Sequence, residues 1–82
     1  MINKANPFKF ANLSTEVLRS FVTVVEQDGF IRAANYLFKT QSTVSQHIQR
    51  LEQELNITLF TPVGRKRALT PSGEIFLVYA KR

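Results

Sequence analysis

Apolar positions along the chain fall into helical stripes separated by short polar breaks. Leu18, Phe21, Val22 and Val25 recur at i, i+3, i+4 and i+7, one face of a first helix. Ser14 stands where an N-cap hydroxyl takes an orphan backbone N–H. Leu13 and Leu18 have the N′ and N4 spacing of a hydrophobic staple. Glu16 in the first turn suits the positive end of the helix dipole, and Asp28-Gly29 ends the helix. A second helix follows on Phe30, Ala33, Ala34 and Leu37. Its two small alanines let a neighbouring helix approach closely; as ordinary helix formers they also fit without that role. Thr40 caps a third helix, whose apolar stripe is Val44, Ile48, Leu51 and Leu55. At about 100° per residue, the opposite face carries Ser42, Gln46, Gln49 and Gln53. Thr43 and Arg50 flank that face on one side and Ser45 on the other. Asn56 is the C-terminal stop.

The pattern then changes. Thr58-Leu59-Phe60-Thr61 is β-prone, Pro62-Val63-Gly64 reads as a turn, and Arg65-Lys66-Arg67 leads into Ala68-Leu69-Thr70. This predicts a short hairpin with a basic tip. A last helix opens with Thr70 as cap and Pro71 at N1. It runs through Ile75, Phe76 and Tyr79 and stops in mid-pattern at Lys81-Arg82, as a piece of a longer protein would. Residues 1–12 are polar and irregular, with Pro7, and read as a flexible arm whose end Phe8 and Phe10 pin to the body. The expected fold is mainly α: a winged helix-turn-helix over 13–70, with a three-helix core and a short β-hairpin wing. A further helix starts over 71–82. There are no internal repeats and no low-complexity segments.

Composition narrows the function. The chain has 82 residues, enough for one domain. A chain this short buries roughly 60–65% of its unfolded surface, which excludes a large enzyme with a deep cleft. Hydrophobic residues make up 44%, compatible with a packed core. Cysteine is absent, so there is no disulfide framework, no thiolate nucleophile and no cysteine-ligated metal. No apolar run approaches the roughly 18 residues of a membrane span, and the N-terminus lacks the apolar stretch of a signal peptide. The chain therefore reads as soluble and cytoplasmic, with no membrane partner.

The net charge is +5, and it is unevenly placed. Up to Ile31, Lys4, Lys9 and Arg19 are balanced by Glu16, Glu26 and Asp28. From Arg32 onward eight basic residues face three acidic ones. A localised basic excess on a small domain points to a polyanion, nucleic acid first. A solvated basic surface is the plain alternative.

The order of helices and basic hairpin gives the third helix a task. The DNA major groove is about 12 Å wide and admits one helix. Such a helix buries one face in its own protein and shows small polar groups on the other. Gln41, Ser42, Thr43, Ser45 and Gln46 meet that requirement at the N-terminal end, where recognition helices reach base edges; Gln49 follows on the same face. Glutamine donates and accepts, and so pairs bidentately with adenine; the Thr43 methyl suits a thymine methyl. Arg65, Lys66 and Arg67 would lie along the backbone or in the adjacent minor groove. His47, the single histidine, has no carboxylate at triad or metal spacing, so it reads as exposed or phosphate-facing and an enzyme is not expected. The competing class is a winged helix used as a protein-interaction module, which would show an apolar patch on helix three.

The stretch Leu18 to Ala80 resembles the N-terminal DNA-binding domain of LysR-type transcriptional regulators. The resemblance runs through Leu18-Arg19-Ser20-Phe21-Val22, Gly29-Phe30-Ile31-Arg32-Ala33-Ala34 and Thr40-Gln41-Ser42-Thr43-Val44-Ser45-Gln46. It continues through Ile48-Gln49-Arg50-Leu51-Glu52, Leu59-Phe60, Gly64-Arg65 and Leu69-Thr70-Pro71-Ser72-Gly73-Glu74. It implies a bacterial regulator that binds an interrupted inverted repeat in double-stranded DNA as a homodimer, and as a tetramer when full length. The last helix would be the start of a dimerising linker helix. No cofactor belongs to this part; a small-molecule effector would bind a C-terminal domain. Gln41, Ser42, Ser45 and Gln46 match base-reading positions, with Thr43 and Gln49 beside them. Arg32, Arg50, Arg65 and Lys66 match phosphate or minor-groove contacts, and Phe76 and Tyr79 fall near the dimer seam. Several positions depart from the family pattern. Ser42 stands where proline is usual. Gln46 stands where arginine is common, which removes a guanine reader and shifts base preference. Pro62 replaces an arginine, which removes a wing-base contact and a partner for Glu52. Ile31 replaces a phosphate-touching threonine, and Gly29 replaces a serine cap.

Overall fold

A computed structural model describes residues 13–81. The arm expected over 1–12, with Phe8 and Phe10, lies outside the described residues, as does Arg82. The elements are α1 (Thr15–Gln27), α2 (Phe30–Leu37), α3 (Gln41–Leu55), β1 (Phe60–Val63), β2 (Lys66–Leu69) and α4 (Pro71–Ala80). The fold is mainly α, a winged helix-turn-helix with a hairpin wing and a further helix.

Local chemistry explains where the helices begin. Ser14 Oγ accepts from the Val17 N–H at 3.2 Å, Thr40 Oγ1 from Thr43 at 3.1 Å, and Thr70 Oγ1 from Gly73 at 2.9 Å. Each satisfies a backbone donor that the helix itself leaves open. α2 has no side-chain cap. Its N-cap, Gly29, has φ 155° and ψ 157°, a conformation that residues with a Cβ rarely adopt. Backbone geometry therefore accounts for glycine in place of the serine expected from the resemblance.

The first three helices end alike, on a left-handed residue: Asp28, Phe38 and Asn56. In each case the next N–H reaches a carbonyl five residues back: Gly29 to Val24, Lys39 to Ala34, Ile57 to Glu52. Asp28 and Asn56 suit that conformation. Phe38 does not, at a cost of about 1–2 kcal/mol, and the residue is 95% exposed, so packing does not offset the strain.

The core is Val17, Phe21 and Val24 of α1, Ala33 and Ala34 of α2, Val44, Ile48 and Leu51 of α3, then Leu59, Phe60 and Phe76. On α1 the buried arc is rotated from the expected stripe. Phe21 is fully buried, while Leu18, Val22 and Val25 pack half-buried at its margins. α1 packs against α2, α3 and α4, which widens the arc to include Ser20 and Thr23. The Thr23 hydroxyl donates to the Arg19 carbonyl at 2.7 Å, so its burial leaves no unsatisfied donor. Ala33 and Ala34 are fully covered, in keeping with small residues at a close helix crossing.

The strands pair antiparallel, Phe60 with Leu69 and Val63 with Lys66. The turn is Gly64–Arg65, narrower than the expected Pro62-Val63-Gly64; Pro62 and Val63 belong to β1. A two-stranded ribbon is all edge, so a proline without an N–H is tolerated opposite Arg67. α4 is clamped to the root of the wing. The Thr70 N–H donates to the Leu59 carbonyl at 2.9 Å, and the Thr70 hydroxyl donates to the Thr58 carbonyl. One turn on, a Cβ at Gly73 would lie 2.5 Å from the Leu59 oxygen and 2.9 Å from a Leu69 methyl. Gly73→Ala gains about 1 kcal/mol of helix propensity but overpacks this contact by about 1–3 kcal/mol. We expect a lower urea midpoint at unchanged slope; a raised midpoint would contradict the close approach.

Candidate nucleic-acid interface

α3 buries Val44, Ile48 and Leu51 and leaves Ser42, Gln46, Gln49 and Gln53 exposed on its other side. The polar face expected from periodicity is therefore present, and it is free of buried contacts. Gln41 opens the helix and is exposed, whereas Thr43 and Ser45 are half-buried. Thr43 is also part of the cap: Thr40 Oγ1 donates to Thr43 Oγ1 at 2.9 Å. Arg50 is exposed further along the same helix.

The start of α2, the first turn of α3 and the wing enclose an open groove of about 730 Å³. Arg32, Gln41, Ser45, Arg65, Lys66 and Arg67 all line it. Residues spread over 36 positions of sequence thus meet on one concave surface. Ser42, Thr43, Gln46, Gln49 and Arg50 lie on α3 outside that lining. The groove has an apolar floor from Phe30, Phe60 and Val63. The Arg67 guanidinium sits 4.9 Å above the Phe30 ring, and Phe30 meets Phe60 edge-on at 5.5 Å. A cation over an aromatic face keeps its charge, and Arg67 remains exposed. Among the described residues, four cations and one carboxylate, Asp28, line the groove. Asp28 reaches Lys66 at 3.8 Å. Both side chains are largely exposed, so this pair contributes little and leaves the groove strongly positive. Sequence reasoning assigned Asp28 only to the helix end; its place on the groove wall follows from the fold.

Three expectations need correction. Glu52 does not depend on an arginine at position 62. Its Oε2 accepts from the Leu59 N–H at 2.8 Å and from Phe60 at 3.5 Å, so the backbone at the root of the wing is its partner. His47 is neither exposed nor phosphate-facing. It lies half-buried between α3 and α1, with Nδ1 2.6 Å from Ser20 Oγ and Nε2 3.2 Å from Glu16 Oε1. Three residues after Val44 and one before Ile48, it falls on the margin of the buried stripe, a position that the polar runs on either side conceal. Phe76 is 2% exposed and packs against Phe21 at 5.3 Å. Its ring belongs to the core of this chain, because α4 turns that face onto α1. The large apolar side chains that α4 exposes are Ile75 and Val78, with Tyr79 half-buried beside them.

A polar helix face beside a cationic hairpin on a three-helix core defines a winged helix-turn-helix protein. Within that class, the family described as bacterial regulatory helix-turn-helix proteins of the lysR family matches residues 15–74, and the chain belongs to that family. It is 43% identical to the HTH-type transcriptional regulator PecT of Dickeya dadantii over 82 residues, 100% of this chain and 25% of that protein. It is 45% identical over 64 residues to the regulator YxjO of Bacillus subtilis, 78% of this chain and 22% of that one. The chain thus spans about a quarter of the length of these relatives. Among solved structures, the complex of BenM_DBD with catB site 1 DNA superposes with a TM-score of 0.79 at 40% identity, covering 84% of this chain and 78% of that one. The CbnR_DBD–DNA complex superposes at 0.80 with 30% identity, covering 85% and 80%.

The Glu52 contact yields a test of how the wing is held. Glu52→Ala leaves the buried Leu59 N–H without its acceptor and should destabilise the fold by about 1–3 kcal/mol. Amide exchange at Leu59 and Phe60 should rise together with the fall in melting temperature. Unchanged protection there would show that the carboxylate does not hold the wing.

Proposed function

We propose that this chain binds double-stranded DNA sequence-specifically as part of a transcriptional regulator. α3 enters the major groove, and the wing, about 62–67, lies on the backbone or in the minor groove. The observation that carries this reading is the groove that joins Gln41 and Ser45 of α3 to Arg32, Arg65, Lys66 and Arg67. Neutral donors and acceptors beside fixed cations are what base-edge reading and phosphate positioning require. Gln41, Ser42, Ser45, Gln46 and Gln49 read base edges, with the Thr43 methyl near them. Arg32, Arg50 and the wing cations take phosphate or minor-groove contacts. The likeness to the BenM_DBD and CbnR_DBD complexes with DNA supports DNA as the partner.

The large apolar side chains exposed among the described residues are Ile31, Tyr36, Phe38, Val63, Ile75 and Val78. None is on α3, which tells against a protein-interaction module built on that helix. The assembly is a homodimer on an interrupted inverted repeat. Ile75 and Val78, one turn apart on α4, supply the apolar seam, with Tyr79 at its edge and Phe76 packing α4 from within. In the full-length protein we propose tetramers and a small-molecule effector bound outside this chain. No helix of the described residues is long and apolar enough to cross a membrane; the proposed site of action is the cytoplasm, with the DNA.

Two substitutions separate reading from positioning. Gln46→Ala should relax base preference at one position of each half-site and cost about 1–3 kcal/mol of specific binding. Selection from random duplexes checks this, and unchanged preference would remove Gln46 from the reading face. Arg65→Ala should weaken binding to every sequence and flatten the dependence of log K on log salt by about one unit. An unchanged slope would rule out its phosphate contact.

A further inference from the structure

We infer that His47 is a positioning residue: it fixes the rotation of α3 about its axis and so aims the base-reading face. The inference rests on the DNA-binding reading above. α1 and α3 pack together, and the side chains they bury in the shared core are mostly apolar: Val17, Phe21 and Val24 on α1, and Val44, Ile48 and Leu51 on α3. Apolar burial of this kind is strong but non-directional, and it tolerates small rotations of one helix on another. The His47 ring supplies the missing direction. Nδ1 lies 2.6 Å from Ser20 Oγ, and Nε2 lies 3.2 Å from Glu16 Oε1, one turn earlier on α1. Ser20 is 2% exposed, so this hydrogen bond forms away from solvent, where its geometry is most strongly enforced. With the proton on Nε2, the neutral ring donates to the Glu16 carboxylate and accepts from the Ser20 hydroxyl, and all three groups are satisfied.

The lever is short. His47 directly follows Gln46 and points inward where Gln46 points outward. An α-helix with side chains has a radius of about 5–6 Å, so a rotation of about 10° moves a side-chain tip by about 1 Å. Base-edge hydrogen bonds need heavy-atom distances of about 2.7–3.2 Å. A rotation that the apolar interface absorbs therefore misaligns Gln46 and Gln49. Phosphate contacts from the wing are steadied separately, because Leu59 and Phe60 are sunk in the core, Phe60 packs on Phe21 of α1 and Phe30 of α2, and Arg67 lies over the Phe30 ring.

The test compares the 82-residue chain with His47→Gln, His47→Leu and Ser20→Ala. Glutamine offers the same acceptor and donor pair as the neutral ring, whereas leucine offers neither. Each protein is titrated, below its own melting temperature, with duplexes that the unsubstituted chain enriches from a random pool and with a scrambled duplex. His47→Leu and Ser20→Ala should reduce the ratio of specific to scrambled affinity by about tenfold, on the scale of one impaired base contact. Scrambled affinity should fall by no more than about twofold, since Arg50 is the one proposed phosphate contact that α3 itself carries, and His47→Gln should keep the ratio within about twofold. If His47→Leu does not fold, Ser20→Ala carries the test. The inference is overturned if the ratio survives both disruptive variants, if both affinities fall together, or if glutamine fails to rescue. If the unsubstituted chain itself shows no preference, the DNA-reading proposal fails first, and the role of His47 with it.

Discussion

Phe21 is the contact on which the other elements depend. It is fully buried, and its ring lies 5.7 Å from Phe60 and 5.3 Å from Phe76. Phe60 in turn meets Phe30. This line of tilted rings runs from α2 through the root of the wing and α1 to α4. Tilted and edge-on ring pairs add about 0.5–1.5 kcal/mol beyond the area they bury. Their structural consequence is larger than that sum. A two-stranded hairpin is marginal by itself, and the wing keeps its attitude because Leu59 and Phe60 are sunk into a core that the helices already need. The same ring line sets the floor of the cationic groove, where Phe30 carries Arg67.

With the wing fixed, the division of labour on α3 follows from polarity. The apolar residues hold the helix down, and the outward row is built from neutral amides and hydroxyls. Cations stand at the borders, on Arg32, Arg50 and the wing. Charge at the borders attracts a polyanion without dictating sequence, while neutral groups at the centre discriminate only at short range. Each cation is exposed and free of strong pairing, so little would have to be broken for it to meet a phosphate in the proposed complex.

Much of this was legible in the residues because the signals were local. Ser14, Thr40 and Thr70 cap as their chemistry requires, and Asn56 stops α3 as expected. On α3 the expected stripe is buried at Val44, Ile48 and Leu51, with Leu55 half-buried at its end. α1 was misjudged because it is covered from several sides, which buries Ser20 and Thr23 with the apolar residues. The resemblance sets Phe76 near the dimer seam, whereas its ring is buried in the core; a helical stripe does not say which of two apolar faces turns inward. Gly73 matters through a backbone oxygen 14 residues earlier, and His47 through Ser20, 27 residues away. Contacts at such separations leave no periodic trace. The Glu52 acceptor role was likewise hidden, since its partners are backbone groups that carry no residue signature.

On the proposed function, the groove and the outward face of α3 act together as one DNA-reading surface. The most direct measurement is a salt titration of the chain with mixed duplex fragments, with sequencing of the bound fraction at each step. Affinity should fall steeply with salt, and enrichment of an interrupted inverted repeat should persist as non-specific binding is lost. Binding that ignores salt, or that enriches no sequence at any salt, would contradict the proposed function.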